Sequence, residues 1–258
     1  MIEFASDKNT GEIRALWDIA FPQEPDFNDW FFANKYKAEL CLVYKEDGII
    51  MAMAQLLPYE IKGVGKVSYV YGAATHPNYR RQGLMRRLLN RSFETDKEKG
   101  FAASILIPQD KPLFDFYKGL GYKTCFFAKS GIACGSADTK GYGIREASEA
   151  DIPFMDRLYR TEQGENYIIR TKDYWAEQIK MFKALGGGTY ILMKGETPRG
   201  YGFVSDGFIQ EAFGDGERLA ALAGVNKYVS CGGDMPIGMA YSYGNKLPDT
   251  MYINLMYN

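Results

Sequence analysis

Arg80-Arg81-Gln82-Gly83-Leu84-Met85 places two guanidinium groups and a glycine where the apolar stretch Val67 to Ala74 passes through a Pro77-Asn78 turn into a helix-forming segment. This order suits anion binding. The first N–H groups of a helix have no partner within it and carry the positive end of its dipole, so a strand, turn and helix start builds a phosphate site from backbone. Gly83 has no Cβ to keep a phosphate away, and Arg80 and Arg81 add charge beside it. A second candidate is Tyr117, in Pro112-Leu113-Phe114-Asp115-Phe116-Tyr117-Lys118-Gly119-Leu120-Gly121-Tyr122, behind the apolar run Phe101 to Ile107. Tyr117 reads either as a proton donor or as a core tyrosine of a short amphipathic helix. A third is the segment in which Glu24, Asp26 and Asp29 alternate with Phe27, Trp30, Phe31 and Phe32. Carboxylates beside aromatic faces suit a cationic amine, and Asp26, Asp29 and Trp30 are the expected contacts; a helix with a solvated acidic face is the alternative.

Composition narrows the classes. Across 258 residues, 31 Lys and Arg balance 32 Asp and Glu, which argues against a general polyanion binder and hence against a nucleic-acid partner. Positive charge is local, at Arg80, Arg81, Arg86, Arg87 and Arg91, and fits one small phosphorylated ligand, although the last three also read as a solvated helix face. No leader-like segment follows Met1 and no run of about 18 apolar residues occurs, so a cytoplasmic protein without a membrane partner is expected. Cys41, Cys125, Cys134 and Cys231 lack metal-ligand spacing and read as buried thiols. His76 is the only histidine, which disfavours a histidine triad or a His-rich metal site.

The elements that must position these residues come in two sets. A strand, Ile2 to Phe4, leads to a helix with Ile13, Leu16, Trp17 and Ala20 at helical spacing. Gly143 to Pro153 opens the same way, with Ser148 as N-cap, Asp151 three residues on, Pro153 in the first turn, and Ile152, Met155 and Tyr159 as the apolar stripe. Cys41–Tyr44 with Ile49–Leu57, and Tyr190–Met193 with Gly200–Val204, read as matching hairpins across Lys45–Gly48 and Lys194–Arg199. Two copies of one fold are expected, over residues 1–138 and 139–258. Nothing after Gly143 repeats the Pro-x-x-Arg-x-x-Gly entrance. Gly186-Gly187-Gly188 precedes a strand and reads as a helix C-cap; Gly232-Gly233, near Asp234 and Pro236, reads as a loop. The second copy is expected to be degenerate, without a cofactor site.

Pro77-x-x-Arg80-x-x-Gly83 behind a strand, followed by Phe116-Tyr117 and Gly121-Tyr122, resembles the acyl-CoA loop and the later helix of GCN5-related N-acetyltransferases, the GNAT superfamily. The resemblance implies an α/β fold of the α+β kind with a mixed sheet, and acetyl-CoA as co-substrate. It places Arg80, Arg81, Gln82, Gly83, Leu84 and Met85 on the pyrophosphate, Ala74 and Thr75 along the pantetheine arm, and Tyr117 beside the sulfur as the acid that protonates the thiolate. It also places Glu24 to Phe32 over the acceptor site. The unequal tandem, Met85 in place of the second loop glycine, and Arg170-Thr171-x-x-Tyr174-Trp175 resemble the Eis-like group, without room after the second copy for its sterol-carrier-like third domain. Many relatives carry a basic glutamate on the fourth or fifth strand, whereas Val67 to Thr75 has no carboxylate. Asp110 reads as a base or as an N-cap, and the terminal carboxylate of Asn258 is another candidate, behind an expected buried strand, Met251 to Tyr257. The expected function is acetyl transfer to a primary amine on a small molecule or peptide, by direct attack in a ternary complex. A non-enzymatic acyl-CoA sensor is the alternative, and homo-oligomerisation is left open.

Overall fold

The computed structural model describes residues 1–133, 137–244 and 246–255. In chain order they form β1 (Ile2–Phe4), α1 (Thr10–Ala20), α2 (Pro25–Asn34), β2 (Cys41–Glu46), β3 (Ile49–Ile61), β4 (Gly65–Thr75), α3 (Leu84–Glu98), β5 (Ala103–Leu106), α4 (Lys111–Lys118), β6 (Lys123–Ile132), β7 (Tyr142–Glu146), α5 (Ile152–Gln163), α6 (Lys172–Ala184), β8 (Gly188–Lys194), β9 (Thr197–Ser205), β10 (Phe208–Gly214), α7 (Gly216–Leu222) and β11 (Lys227–Ser242). The chain divides into two compact units: Met1–Lys123 with Met239–Leu247, and Thr124–Gly238 with the described residues from Pro248 on.

In the first unit β1, β2, β3 and β4 pair antiparallel in that order, β5 joins β4 in parallel, and Met239–Ser242 of β11 pairs antiparallel with β5. Asp47 and Gly48, both at positive φ (49° and 82°), make the tight β2–β3 turn. Side chains alternate across the strands, so the sheet buries both faces. Leu42, Ala54, Leu56 and Val70 meet Leu84, Leu88, Leu89 and Phe93 of α3 on one. Val43, Met53 and Ala74 meet Ile13, Leu16 and Trp17 of α1 and Phe31 of α2 on the other.

The second unit repeats the opening. Ser6 N–H donates to Asn9 Oδ1 (3.1 Å) and Ser148 N–H to Asp151 Oδ2 (2.8 Å). Ala5 N–H reaches Cys41 O, and Ala147 N–H reaches Thr189 O, at 2.8 Å each. β7, β8, β9 and β10 pair antiparallel, β10 meets β11 in parallel, and β6 pairs with β11. The sequence division at 138/139 treats each copy as one stretch, whereas each compact unit is assembled from two. β6 lies almost wholly in the second unit, and the end of β11 supplies the antiparallel neighbour of β5 in the first.

Two local expectations change. Gly232 and Gly233 lie inside β11, the strand that pairs with β6, rather than in a loop, and Gly232 takes a positive φ of 76° there. Met251, Tyr252, Ile253 and Leu255 are buried, but among the described residues they form no strand beyond a bridge from Met251 to Phe126, and Met256 and Tyr257 lie outside the described residues. The triple glycine behaves as a helix end: Gly186 has φ 78° and Gly187 N–H returns to Phe182 O at 2.8 Å before β8 begins. Cys41 and Cys125 are buried and Cys231 half-buried; Cys134 lies outside the described residues.

Candidate active site

β4 follows β3 from Ile61↔Gly65 to Ala52↔Thr75, but β5 accompanies β4 only at Val67, Ser68 and Tyr69. Beyond Tyr69 the two parallel strands part, and one edge of β4 has no strand beside it among the described residues. Ala74 and Thr75 stand on that stretch. Ala74 is buried, and the Thr75 carbonyl accepts a 3.2 Å bond from Arg80 Nε, so Arg80 folds back onto the strand end. A helical turn, Pro77–Tyr79, follows, with His76 Nδ1 accepting from Asn78 N–H at 3.2 Å. This bond gives the lone histidine a turn-forming role.

The chain then reverses through two left-handed residues, Arg81 (φ 63°) and Gly83 (φ 74°), into α3. A left-handed arginine costs about 1–2 kcal/mol, so the surrounding structure must hold this loop in place. Gly83 is the N-cap of α3, no side chain caps the helix, and a Cβ built on Gly83 would meet nothing within 4 Å. The start of α3 is therefore uncapped, with open space beside Gly83. Arg80, Arg81, Gln82 and Gly83 are exposed, while the Leu84 side chain is buried and Met85 packs partly against the same core.

Asp110 is the N-cap of α4, accepting from Leu113 N–H at 2.9 Å, which occupies its carboxylate structurally. Pro112 fits the first turn behind it. At the far end Tyr117 is 7% exposed, its ring edge-on to Tyr122 at 5.6 Å, and Tyr122 is fixed by a 2.7 Å bond to Ser104 Oγ. Burial pushes the Tyr117 hydroxyl up to about 12. Arg86, which reads equally as a solvated charge, donates at 3.3 Å to the carbonyl of Gly119 and ties the first turn of α3 to the end of the helix that carries Tyr117.

The opposite face of β4 holds the acidic and aromatic segment. Asp26 is exposed and Trp30 half-buried, whereas Asp29 is taken by Arg14, 2.7 Å away. Sequence reasoning missed Tyr69, Tyr71 and Gln55. The Tyr71 ring lies 5.3 Å from Phe31, 5.6 Å from Trp17 and 5.7 Å from Tyr69. Gly72, at φ 56°, is required here: a Cβ would sit 2.2 Å from the Trp17 ring. Gln55, 1% exposed and across from Tyr71, has neither amide atom hydrogen-bonded. The alternation Tyr69-Val70-Tyr71 was the available signal, since it puts both rings on one face. Asn258 lies outside the described residues.

The corresponding places in the second unit are filled. Asp215 caps α7, accepting from Arg218 N–H at 3.1 Å, so a carboxylate sits at the helix start after β10. Between α5 and β10, Arg170 and Glu211 form a bidentate pair at 2.6 and 2.7 Å, both side chains fully buried. Among the described residues no helix is long and apolar enough to cross a membrane, and no cluster of three metal-ligating side chains occurs.

Residues 2–125 match the sequence model of the family described as acetyltransferase (GNAT) domain. These residues belong to the GNAT family. Across the wider chain the likeness is structural. A conserved protein of unknown function from Enterococcus faecalis shares 17% identity, with 94% of this chain and 72% of that chain covered at a TM-score of 0.67. An Eis protein from Mycobacterium abscessus shares 14%, covering 97% and 68% at 0.59. A tandem GNAT protein from the clavulanic acid biosynthesis pathway shares 12%, covering 95% and 100% at 0.57. At these identities the likeness establishes the fold: a mixed α/β GNAT architecture. No curated protein sequence gives a significant match.

Proposed function

We propose that the first unit is an acetyl-CoA-dependent N-acetyltransferase that passes acetyl to a primary amine, on a small molecule or peptide, by direct attack in a ternary complex. The observation that carries this reading is the uncapped start of α3 behind Gly83, beside a β4 edge that β5 leaves unpaired. Phosphates fit the first, where N–H groups and the dipole converge, and an extended amide-containing arm fits the second. Tyr117, on the helix that Arg86 joins to α3, is the general acid for the thiolate, and the acidic and aromatic face around α2 receives the amine. The second unit is degenerate in this reading, because Asp215 occupies its helix start and Arg170–Glu211 fills its interior.

Calorimetry with acetyl-CoA tests it. One molecule should bind per chain, and Gly83→Trp should abolish binding by filling the phosphate position. Unchanged affinity in that variant removes the assignment. The acyl-CoA sensor reading separates at the next step, since a sensor binds acetyl-CoA but releases no CoA thiol with any amine in an acceptor screen.

A further inference from the structure

The central strands of the first unit bury an amide that the fold leaves without a partner. Cys41 of β2 pairs with Gln55 of β3, and Gln55 with Tyr71 of β4, so the three side chains share one face; Cys41 and Tyr71 pack there with α1 and α2. Gln55 is 1% exposed, and neither Oε1 nor Nε2 has a hydrogen-bond partner among the described residues. Such an amide is destabilising, because it gives up its bonds to water for none in the protein. The architecture does not require it. Ala147 N–H reaches Thr189 O as Ala5 N–H reaches Cys41 O, so Thr189, Phe203 and Glu211 form the matching row of the second unit. The middle position there is Phe203, fully buried with its ring 4.9 Å from that of Phe182.

Within the acetyl-transfer reading, on which this inference rests, the row leads inward from the acceptor side. Tyr71 stands on the stretch of β4 that β5 no longer accompanies and is half-buried, and Gln55 lies one strand further in, about 4.8 Å away along the sheet. We propose that Gln55 binds the acceptor, and that the acceptor carries an amide beside its primary amine, as an amino-acid amide or a peptide N-terminus does. The Gln55 Oε1 needs a donor and its Nε2 an acceptor, and an amide supplies both through its own N–H and C=O. A second ammonium group would offer donors alone and leave Nε2 unpaired. Gln55 in this role fixes which amine is accepted and takes no part in proton transfer.

Glycinamide and isobutylamine test this, since isobutylamine keeps the skeleton of glycinamide but has methyl groups in place of the amide oxygen and nitrogen. With Gln55→Met, KM for glycinamide should rise at least about 10-fold with kcat within about threefold, while KM for isobutylamine moves less than about threefold. Without any ligand the same variant should melt at least about 2 °C above wild type, because the orphaned amide is gone. Gln55→Leu, of different shape, should give the same pattern, and acetyl-CoA affinity should be unchanged in both. A lower melting temperature in both variants would show that the amide is satisfied inside the fold, as by a buried water. Equal changes in KM for the two amines, or none for either, would show that it does not touch the acceptor. Either result overturns the proposal, as does a wild type that acetylates isobutylamine but not glycinamide, which leaves the acetyl-transfer reading standing. If acetyl-CoA binds but no amine in the acceptor screen releases thiol, that reading falls and the proposal with it.

Discussion

At the residue scale, Tyr117 and Asp96 are buried ionisable groups with opposite uses. Tyr117→Phe keeps the ring against Tyr122 and removes the one proton it could give, so kcat should fall about 10²–10⁴-fold with acetyl-CoA affinity and thermal stability near wild type. A folded variant with undiminished thiol release would return Tyr117 to the core. Asp96, 2% exposed on α3, accepts from Tyr243 O–H at 2.8 Å, yet burial raises it from 3.8 to about 6. A carboxyl whose folded value lies above its unfolded value stabilises the protein fully below the unfolded value, and that stability is lost as pH rises through the folded one. Denaturant melts of Asp96→Asn, which still accepts from Tyr243, should therefore gain on wild type as pH climbs from about 4 through about 6, by about 2–3 kcal/mol in total. A pH-independent difference between the two proteins would contradict this assignment.

At the element scale, two helix starts in corresponding places have opposite chemistry. α3 begins at an uncapped left-handed glycine and α7 at an aspartate that accepts from Arg218 N–H. Asp215→Ala removes this cap and should cost about 1 kcal/mol of stability, read as a lower denaturation midpoint. Acetyl-CoA should still bind once per chain. A second binding event in this variant would mean that the carboxylate alone blocks a site the second unit otherwise retains.

At the scale of the whole molecule, the second unit is organised around its buried ion pair. Arg170 also donates at 2.7 Å to Asn254 O and lies 4.0 Å from the Tyr159 ring, while Tyr201 and Tyr252 donate to Glu211 at 3.2 Å. Arg170→Met leaves Glu211 charged and buried, and should cost about 3–5 kcal/mol by chemical denaturation. Adding Glu211→Leu should recover most of that loss, since an apolar pair avoids the desolvation penalty. A double variant no better than the single would show that the hydrogen bonds from Tyr201 and Tyr252 outweigh it.

Short-range information lies in neighbouring residues, and it is here that the amino-acid sequence by itself was decisive. The turn at Pro77, the glycine at the start of α3, the Phe116-Tyr117 helix and the Ser148-x-x-Asp151 opening were all legible, because turns and helix starts depend on residues a few positions apart. The proposed acceptor face was legible only in part: alternating acids and aromatics marked α2, but not that Arg14 takes Asp29 or that Tyr71 and Gln55 face the same side. Composition was equally silent on Arg170, whose role as a buried partner requires Glu211, 41 positions away. Nor could strand patterns show that β11 serves both units, because a period of two records which face a strand buries and not which neighbour it pairs with. Those properties depend on long-range register and burial, and the tertiary structure decides them because backbone hydrogen bonds and close packing are satisfied only once distant strands have met.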